Sequence, residues 1–536
     1  MLLTMADLPL PRGPARRRRA RPGRHAAGAI CAAALVASGW LVLPPPAAAD
    51  PLEARLWVDT AGQPTPLAQQ ALALLADAAS HGLDARDYGL PVLQQQAGAA
   101  DAATLQAALL RYLRHLHEGR ALAPARPAGL RREPFDAVAL LRAAVAAGDL
   151  AHAVQAAVPA LPQYARLREA LARYRGLAGH PAWSAPWPAL PLPPKARLRV
   201  LSPGQAWEGL PLLAARLTAL GDLAEPVGTA TAATAAAAAV YEGALVAAVQ
   251  AFQRRHGLQD DGVVGRATLA ALQVPPAARA QQIELALERL RWTPLQDAPR
   301  RIVVNIPEYV LRAYELEQGR IVVRTQMKVV VGRAAATRTP LLQEDLRRIE
   351  FKPFWNVPPS IARGETVPRA RRDPGYWARE GFEFVGAAGT ADAVLTEAKL
   401  QAVLDGALRI RQRPGPRNAL GDIKFVLPNR QAIYLHHTPS VQLFGHARRD
   451  FSHGCIRIEQ PVALAAFALH GMPGWDEPRI RAAMGATEPS MVVLAQPVPV
   501  LLAYTTALVK EGRIHFFDDV YGHDRELARA LRALRR

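Results

Sequence analysis

The stretch "YLHHTPSVQLFGHARRDFSHGCIRI", residues 434–458, holds a cysteine, four histidines and three arginines within one short segment. A free thiol has a pKa near 8.5 and is only a few per cent ionised at neutral pH, so a cysteine nucleophile needs a proton acceptor beside it. His436 lies 19 residues before Cys455, at the end of the strand-like run "QAIYLH". An excursion of that length can return a strand-end imidazole to a thiol that opens the next element. The imidazole would take the thiol proton and later return it to a leaving amine. Gly454 allows close backbone approach, and the N–H groups of Gly454 and Cys455 are expected to face a tetrahedral oxyanion. Arg457 presents a planar fork, either to a substrate carboxylate or to a structural ion pair. His437 and His446 read as solvated loop side chains, and His453 is the alternative base. The set His436, His437, His446, His453 and Cys455 lacks zinc spacings such as C-x2-C or H-x3-H, so no metal and no cofactor is expected.

The compartment gives the thiol its meaning. Residues 1–49 combine the basic run "RGPARRRRARPGRH", the apolar run "AAGAICAAALVASGWLVL" and Ala47-Ala48-Ala49 before Asp50. This is the pattern of an export signal, with an uncleaved N-terminal anchor and membrane tether as the alternative. The chain has 2 cysteines, and Cys31 lies inside the apolar run. Cys455 would then be the lone thiol of an exported, periplasmic chain, in an oxidising space where thiols are usually paired. It is either a reactive group or an inert buried side chain. The net charge of +19 falls to about +13 without the leader, which suits an acidic polymer or an anionic surface. An export signal and the absence of an aromatic-basic motif argue against nucleic acid.

At 536 residues several domains are expected, in an α+β multidomain arrangement. Residues 50–228 read as an all-α scaffold, with apolar residues at helical spacing as in Leu105, Leu109, Leu113 and Leu116. "PAWSAPWPALPLPPK", 181–195, reads as a Pro-rich linker, and the alanine run at 230–239 as a loop or insert. Residues 240–276 form a compact helical unit: Leu245, Val249 and Phe252 share a helix face, His256-Gly257 ends it, and Asp261-Gly262 turns into a second helix. From 299 the β-branched runs "RIVVNIPEYVLRAYE" and "RIVVRTQMKVVVG" meet at Glu317-Gln318-Gly319, a hairpin signal that opens a mostly-β domain to about 500. A charged, helix-prone insertion at 360–410 is the size of a lid, and 501–536 is a C-terminal extension.

Two resemblances follow from these stretches. "VQAFQRRHGLQDDGVVGRATLAAL" is similar to the small helical peptidoglycan-binding module. "YLHHT…SHGCIRI" resembles the signature of the L,D-transpeptidase (YkuD-like) catalytic domain, H-x-T followed by S-H-G-C-x-R. "FWNVPPSIA", 354–362, and "RQRPGPRNALGDIKFVLPN", 411–429, resemble its lid-bearing branch, which also carries a helical scaffold domain and a peptidoglycan-binding module. The resemblance implies Cys455 as nucleophile, His436 as base, and Gly454 among the catalytic residues. It further implies Arg457, Ser452, His453, Tyr434, Trp355 and Asn356 around the substrate, and 360–410 as the lid. Residue 437 is histidine where relatives of that branch often carry aspartate. The implied reaction joins peptidoglycan stem peptides, donor and acceptor, in the cell wall through a thioester on Cys455. D-Ala is released, a 3–3 cross-link is the product, and carbapenem-type β-lactams are the implied inhibitors. Two other readings remain at this point: a Cys/His hydrolase of wall peptides, and a wall-anchoring protein without catalysis. Basic lid residues (Arg369, Arg371, Arg372) and the aromatics Tyr376 and Trp377 are expected either to meet the substrate or to form the lid's own core.

Overall fold

Leucines at three- and four-residue spacing build the first layer of the molecule. The computed structural model describes residues 56–95, 102–121, 126, 128, 130, 134–193, 197–224, 240–295 and 298–534. The leader at 1–49 and the alanine run at 230–239 lie outside the described residues. Helices Pro66–Ala76 (α1), Ala102–Glu118 (α2), Ala137–Ala147 (α3) and Leu150–Ala157 (α4) close one core. Leu105, Leu109, Leu113 and Leu116 of α2 are all buried in it, as their spacing requires. Thr65, Asp136 and Asp149 accept hydrogen bonds from the first-turn N–H groups of α1, α3 and α4, which fixes where each helix begins. Among the described residues, no helix is long and apolar enough to cross a membrane.

A second core joins helices Pro162–Gly176 (α5), Leu210–Leu220 (α6), Gly243–Arg255 (α7), Arg266–Gln273 (α8) and Pro276–Arg291 (α9). Leu245, Val249 and Phe252 face inward from α7, which ends at His256 with Gly257 in the left-handed region (φ 64°). The unit expected at 240–276 is not closed by itself. Its Phe252 shares one apolar cluster with Leu167 of α5, Leu213 of α6, Ile283 of α9 and Phe516 near the C-terminus. Leu201 also pairs with Val264 as an antiparallel bridge, bringing the chain before α6 onto the module. Of the stretch 181–195, the described part, 181–193, is not a free spacer either. Trp187 stacks on Trp207 at 5.7 Å, and the buried Arg216 lies over Trp183 and Trp187 at 5.4 and 4.6 Å. Arg216 also donates to the carbonyls of Ala182 and Leu272, so the prolines here shape a packed surface.

Helix α9 carries the connection from the helical half to the sheet. Glu288 on it is buried and accepts from the N–H groups of Arg120 and Ala121 and from Arg291. Burial alone would raise this carboxyl, but Arg291, Arg120 and the two backbone donors hold it below its ordinary value.

The mostly-β domain is a nine-stranded sheet in the order β11-β3-β12-β10-β9-β4-β13-β1-β2, and β2 pairs again with β3, so the sheet closes on itself. Strands Arg300–Asn305 (β1), Val310–Glu317 (β2) and Arg320–Gly332 (β3) follow the two β-branched runs. Gln318 and Gly319 turn the β2–β3 hairpin with φ of 49° and 75°, the paired positive values of a type I′ turn. Leu342–Phe351 (β4) then leads into the lid. The lid expected to be helical contains its own sheet, Trp355–Asn356 (β5), Phe382–Val385 (β6), Ala391–Asp392 (β7) and Arg409–Gln412 (β8), in the order β5-β8-β6-β7. Helices Val367–Arg372 (α10), Pro374–Glu380 (α11) and Glu397–Leu404 (α12) accompany it, and residues from all three join its apolar cluster. Trp377 is 2% exposed, stacks on Phe384 at 4.3 Å and donates from Nε1 to the Ala393 carbonyl. It belongs to the lid core and does not cover the thiol. Tyr376 packs on Phe382, Arg369 lies over Tyr376, and Arg371 is paired with Glu397 at 2.5 Å, so these groups are engaged within the lid.

The remaining strands, Ile423–Val426 (β9), Leu435–His436 (β10), Asp450–Ser452 (β11), Ile456–Ile458 (β12) and Ser490–Ala503 (β13), complete the sheet, with helix Pro461–Leu469 (α13) after β12. Because β13 runs through residue 500, the boundary expected there falls inside a strand. The tail is structural. Hairpin Ala507–Lys510 (β14) and Arg513–Phe516 (β15) packs into the second helical core, and helix His523–Ala533 (α14) packs Leu527 and Leu531 with Leu285 and Trp292.

Candidate functional site

Strand β10 contributes two residues, Leu435 and His436, and pairs antiparallel with β9 and parallel with β12. Parallel neighbours cannot be joined by a tight turn, which explains the long excursion 437–455 between them. In register, His436 stands opposite Lys424 on β9 and Arg457 on β12. Directly paired residues project to the same face, so the imidazole is flanked by two cations. Cys455 immediately precedes β12 and so returns to that imidazole.

A cavity of ≈ 410 Å³ gathers the site. Its lining includes Cys455, His436, Ser452, His453, Arg457, Tyr434, Trp355 and Asn356. Every side chain that the resemblance placed at the site therefore lines one cavity, and Gly454 links two of them. Trp355 and Asn356 come from β5 at the root of the lid, so the cavity lies where lid and sheet meet.

His436 is 4% exposed, and its Nδ1 donates to the carbonyl of His437 at 2.5 Å. That bond selects the Nδ1–H tautomer and leaves the Nε2 lone pair free to accept a proton. Burial, then Arg457, push the His436 pKa down to about 3; the His437 carbonyl opposes them, and Lys424 adds a smaller downward effect. The thiol of Cys455 is held above its ordinary value by burial. The Tyr434 backbone N–H and hydroxyl, with Lys424 and Arg457, oppose that rise and favour the thiolate. The thiol itself donates to the Ala432 carbonyl at 3.5 Å. Tyr434 lines the same cavity as Trp355 of the lid root and Cys455, and burial raises its hydroxyl above its ordinary value. The resting pair is a neutral thiol beside a neutral imidazole. Alkylation of Cys455 by iodoacetamide is accordingly expected to climb with pH through 8 and beyond. A plateau beginning below pH 6 would instead mark a preformed thiolate–imidazolium pair.

The turn holding the nucleophile is built from hydroxyls. Gly454 adopts φ 116°, outside the range comfortable for a side chain. Its N–H donates to Ser452 Oγ at 3.1 Å, and Ser452 Oγ donates to the Cys455 carbonyl at 2.6 Å. The expectation that the Gly454 N–H faces an oxyanion is therefore corrected: that donor is taken. Among the described residues, the Cys455 N–H has no hydrogen-bond partner, and it remains available to an oxyanion. Ser452 is buried and holds the turn with its hydroxyl. Arg457 Nε is likewise buried without a hydrogen-bond partner, leaving a donor for a bound anion.

The other histidines separate cleanly. His453 Nε2 meets Glu365 Oε1 of the lid at 2.6 Å, which ties the residue two before the nucleophile to the lid. His437 Nδ1 lies 3.5 Å from Asp422 Oδ2, an ion-pair distance, and its ring covers Gly421, where a Cβ would sit 2.6 Å from Nδ1. His437 is thus packed and is not the loose loop side chain expected. His446 is exposed, with its ring edge on Phe451. Lys424 was not anticipated. It pairs with Glu350 at 3.1 Å and lies over the Tyr434 ring at 4.7 Å. Its signal in the sequence was alternation: in "DIKFV" it points away from Ile423 and Phe425, which are both buried in the core.

Three family models match the chain. Residues 299–475 match one described as the L,D-transpeptidase catalytic domain, 52–171 one described as a scaffold domain, and 209–272 one described as "Putative peptidoglycan binding domain". The last begins at α6, in keeping with the shared core. A Haemophilus influenzae protein named "Putative L,D-transpeptidase" is 32% identical over 250 residues, 46% of this chain. The match spans about half (49%) of that relative's length. Among solved structures, one titled as a fused Zn-dependent amidase/peptidase/peptidoglycan-binding domain-containing protein from Clostridium acetobutylicum is 14% identical, covering 28% of this chain and 70% of that one, with a TM-score of 0.12. A Bdellovibrio bacteriovorus structure is 12% identical, covering 44% of this chain and 56% of that one, with a TM-score of 0.16. Scores this low carry no argument.

Proposed function

The chain carries an L,D-transpeptidase catalytic domain beside a scaffold domain and a peptidoglycan-binding domain, and from that premise we propose that it forms 3–3 cross-links between peptidoglycan stem peptides through a thioester on Cys455. The observation supporting this reading most directly is the single cavity shared by Cys455, His436, Arg457 and Lys424. Sγ attacks the carbonyl carbon between the third residue of the donor stem and its terminal D-Ala, while His436 Nε2 takes the thiol proton. The Cys455 N–H meets the developing oxyanion, in the field of Arg457 and Lys424. Collapse breaks the C–N bond, and His436 returns its proton to the departing D-Ala amine. An acceptor amine then attacks the thioester, His436 takes up its proton, and the thiol is restored as the new amide forms. A neutral imidazole suits both halves of this cycle, because it must be a base first. A wall substrate places the work outside the cytoplasm, which agrees with the export signal read at 1–49.

The test is the intact mass of the protein after incubation with a tetrapeptide stem. An adduct equal to the donor less D-Ala, located on Cys455 and discharged by an amine acceptor to a cross-linked product, is expected. No adduct, or discharge only to water, overturns the transfer reaction.

The lid acts in the second half of the cycle by limiting access of water to the thioester. Its contact with the nucleophile turn runs through Glu365 and His453, both partly exposed. Glu365→Ala is expected to raise the share of thioester lost to water by up to about fivefold, since a partly exposed ion pair is worth no more than ~1 kcal/mol. Equal product ratios for the two proteins would show that this contact does not govern water.

A further inference from the structure

A chain of buried hydroxyls runs from the C-terminal segment to the peptide bond that precedes the nucleophile. Tyr521 is 1% exposed and lies beyond the residues matched to the catalytic family. Its hydroxyl donates to the Gly332 carbonyl at 2.6 Å and accepts from the Thr339 N–H at 3.2 Å. Thr339 is fully buried, and its Oγ1 accepts from the Gly332 N–H at 2.9 Å and donates to the Gly454 carbonyl at 2.7 Å. Both hydroxyls are thus engaged as donor and as acceptor. Gly332 is where the chain folds back at the end of β3: a Cβ there would lie 1.9 Å from the Thr337 carbonyl.

Geometry gives this network a consequence for chemistry. In a trans peptide the C=O of one residue and the N–H of the next lie in one plane and point in opposite directions. Holding the Gly454 carbonyl therefore sets the direction of the Cys455 N–H, the donor left free for the oxyanion. Gly454 at φ 116° has a wide range of backbone conformations open to it, so this direction is not set by the local chain. Tyr521 is itself fixed. Its N–H donates to Tyr504 Oη at 2.9 Å, and Tyr504 Oη donates to Asp519 at 2.7 Å. Asp519 accepts from the N–H groups of Asp524 and Arg525 at the start of α14. Asp524 in turn pairs with Arg289 of α9 at 2.5 Å.

We infer that Tyr521 is a positioning residue for the reaction at Cys455, acting through Thr339 on the Gly454–Cys455 peptide. The inference rests on the proposed role of Cys455 as nucleophile. It makes the C-terminal segment part of the catalytic apparatus, although it touches neither substrate nor thiol.

Tyr521→Phe in the full chain keeps the ring and removes the hydroxyl. The expected result is a fall of about tenfold in kcat for acylation by the tetrapeptide, the loss of one well-made hydrogen bond, with KM within about twofold. Amide exchange across 452–458, read by mass spectrometry, should quicken alongside, while iodoacetamide alkylation of the thiol stays within about twofold. A purely structural role would lower the yield of folded protein and leave kcat per folded molecule unchanged. Should Tyr521→Phe fail to fold, Thr339→Ser and Thr339→Val read the same link: serine is expected to retain kcat and valine to lose it. Unchanged exchange at 452–458, or equal kcat for the serine and valine variants, overturns the inference. Altered exchange in a protein whose wild type is inert to the tetrapeptide would count against that donor and leave the positioning role standing.

Discussion

Cys455→Ser is expected to abolish acyl transfer, lowering the rate of adduct formation by at least about 10³-fold while the fold is retained. The replacement is nearly isosteric, so any loss is chemical. A neutral imidazole can take a proton from a thiol, even one that burial holds above its ordinary value. It cannot do so with comparable ease from an alcohol several units more basic. The hydroxyl that replaces Sγ keeps the Ala432 carbonyl as its acceptor, and the Ser452 bonds of the turn do not involve Sγ, so the turn should persist. Cys455→Ala should be equally inactive. Intact mass after incubation with donor, with a melting curve alongside, checks the result. A serine variant that still forms the adduct removes Cys455 from the nucleophile's role.

His436→Ala is expected to lower the acylation rate by roughly 10²–10⁴-fold, the range for losing a positioned general base. The effect should exceed that of His453→Ala, because His453 Nε2 is committed to Glu365, and that of His437→Ala, because His437 contributes its backbone carbonyl, which alanine retains. The loss should be greatest near neutral pH and shrink above pH 9, where hydroxide begins to ionise the thiol unaided. A single-turnover pH profile of the three variants separates them. If His453→Ala proves the most damaging, the base is the residue on the nucleophile's own turn and the strand-end assignment falls.

Arg457 and Lys424 stand on either side of His436 and place two positive charges at the cavity. Burial first, then Arg457 and by a smaller amount Lys424, keep the imidazole neutral, with its lone pair free to accept a proton but its basicity lowered. In the proposed reaction the same charge would stabilise a tetrahedral oxyanion and the carboxylates of a stem peptide. The ≈ 410 Å³ cavity is thus biased toward an anionic donor and against a resting imidazolium.

What the sequence marked by itself was a candidate chemistry and the local elements. A lone cysteine behind a glycine, a histidine at a strand end and an arginine two residues on are legible because nucleophile, base and anion fork are properties of residue types. Leu105, Leu109, Leu113 and Leu116 announce a helix, and Gln318-Gly319 a hairpin, because helical period and left-handed turns are set by neighbours along the chain. Tertiary structure decided everything that depends on what lies across the sheet or under the turn. Lys424 joins His436 only through the register of β9 on β10. Ser452 takes the Gly454 N–H only because the turn closes on it, which leaves the Cys455 N–H as the candidate donor to an oxyanion. Trp377 faces the lid's interior because strands pair where helix alone was expected. The boundaries at 276 and 500 dissolve for one reason: Phe252, Ile283 and Phe516, more than 200 residues apart at the extremes, fill a single core. Apolar area is buried wherever packing is best, without regard to separation along the chain. That is also why Tyr521, silent in the sequence, ends two hydrogen bonds away from the peptide that carries the nucleophile.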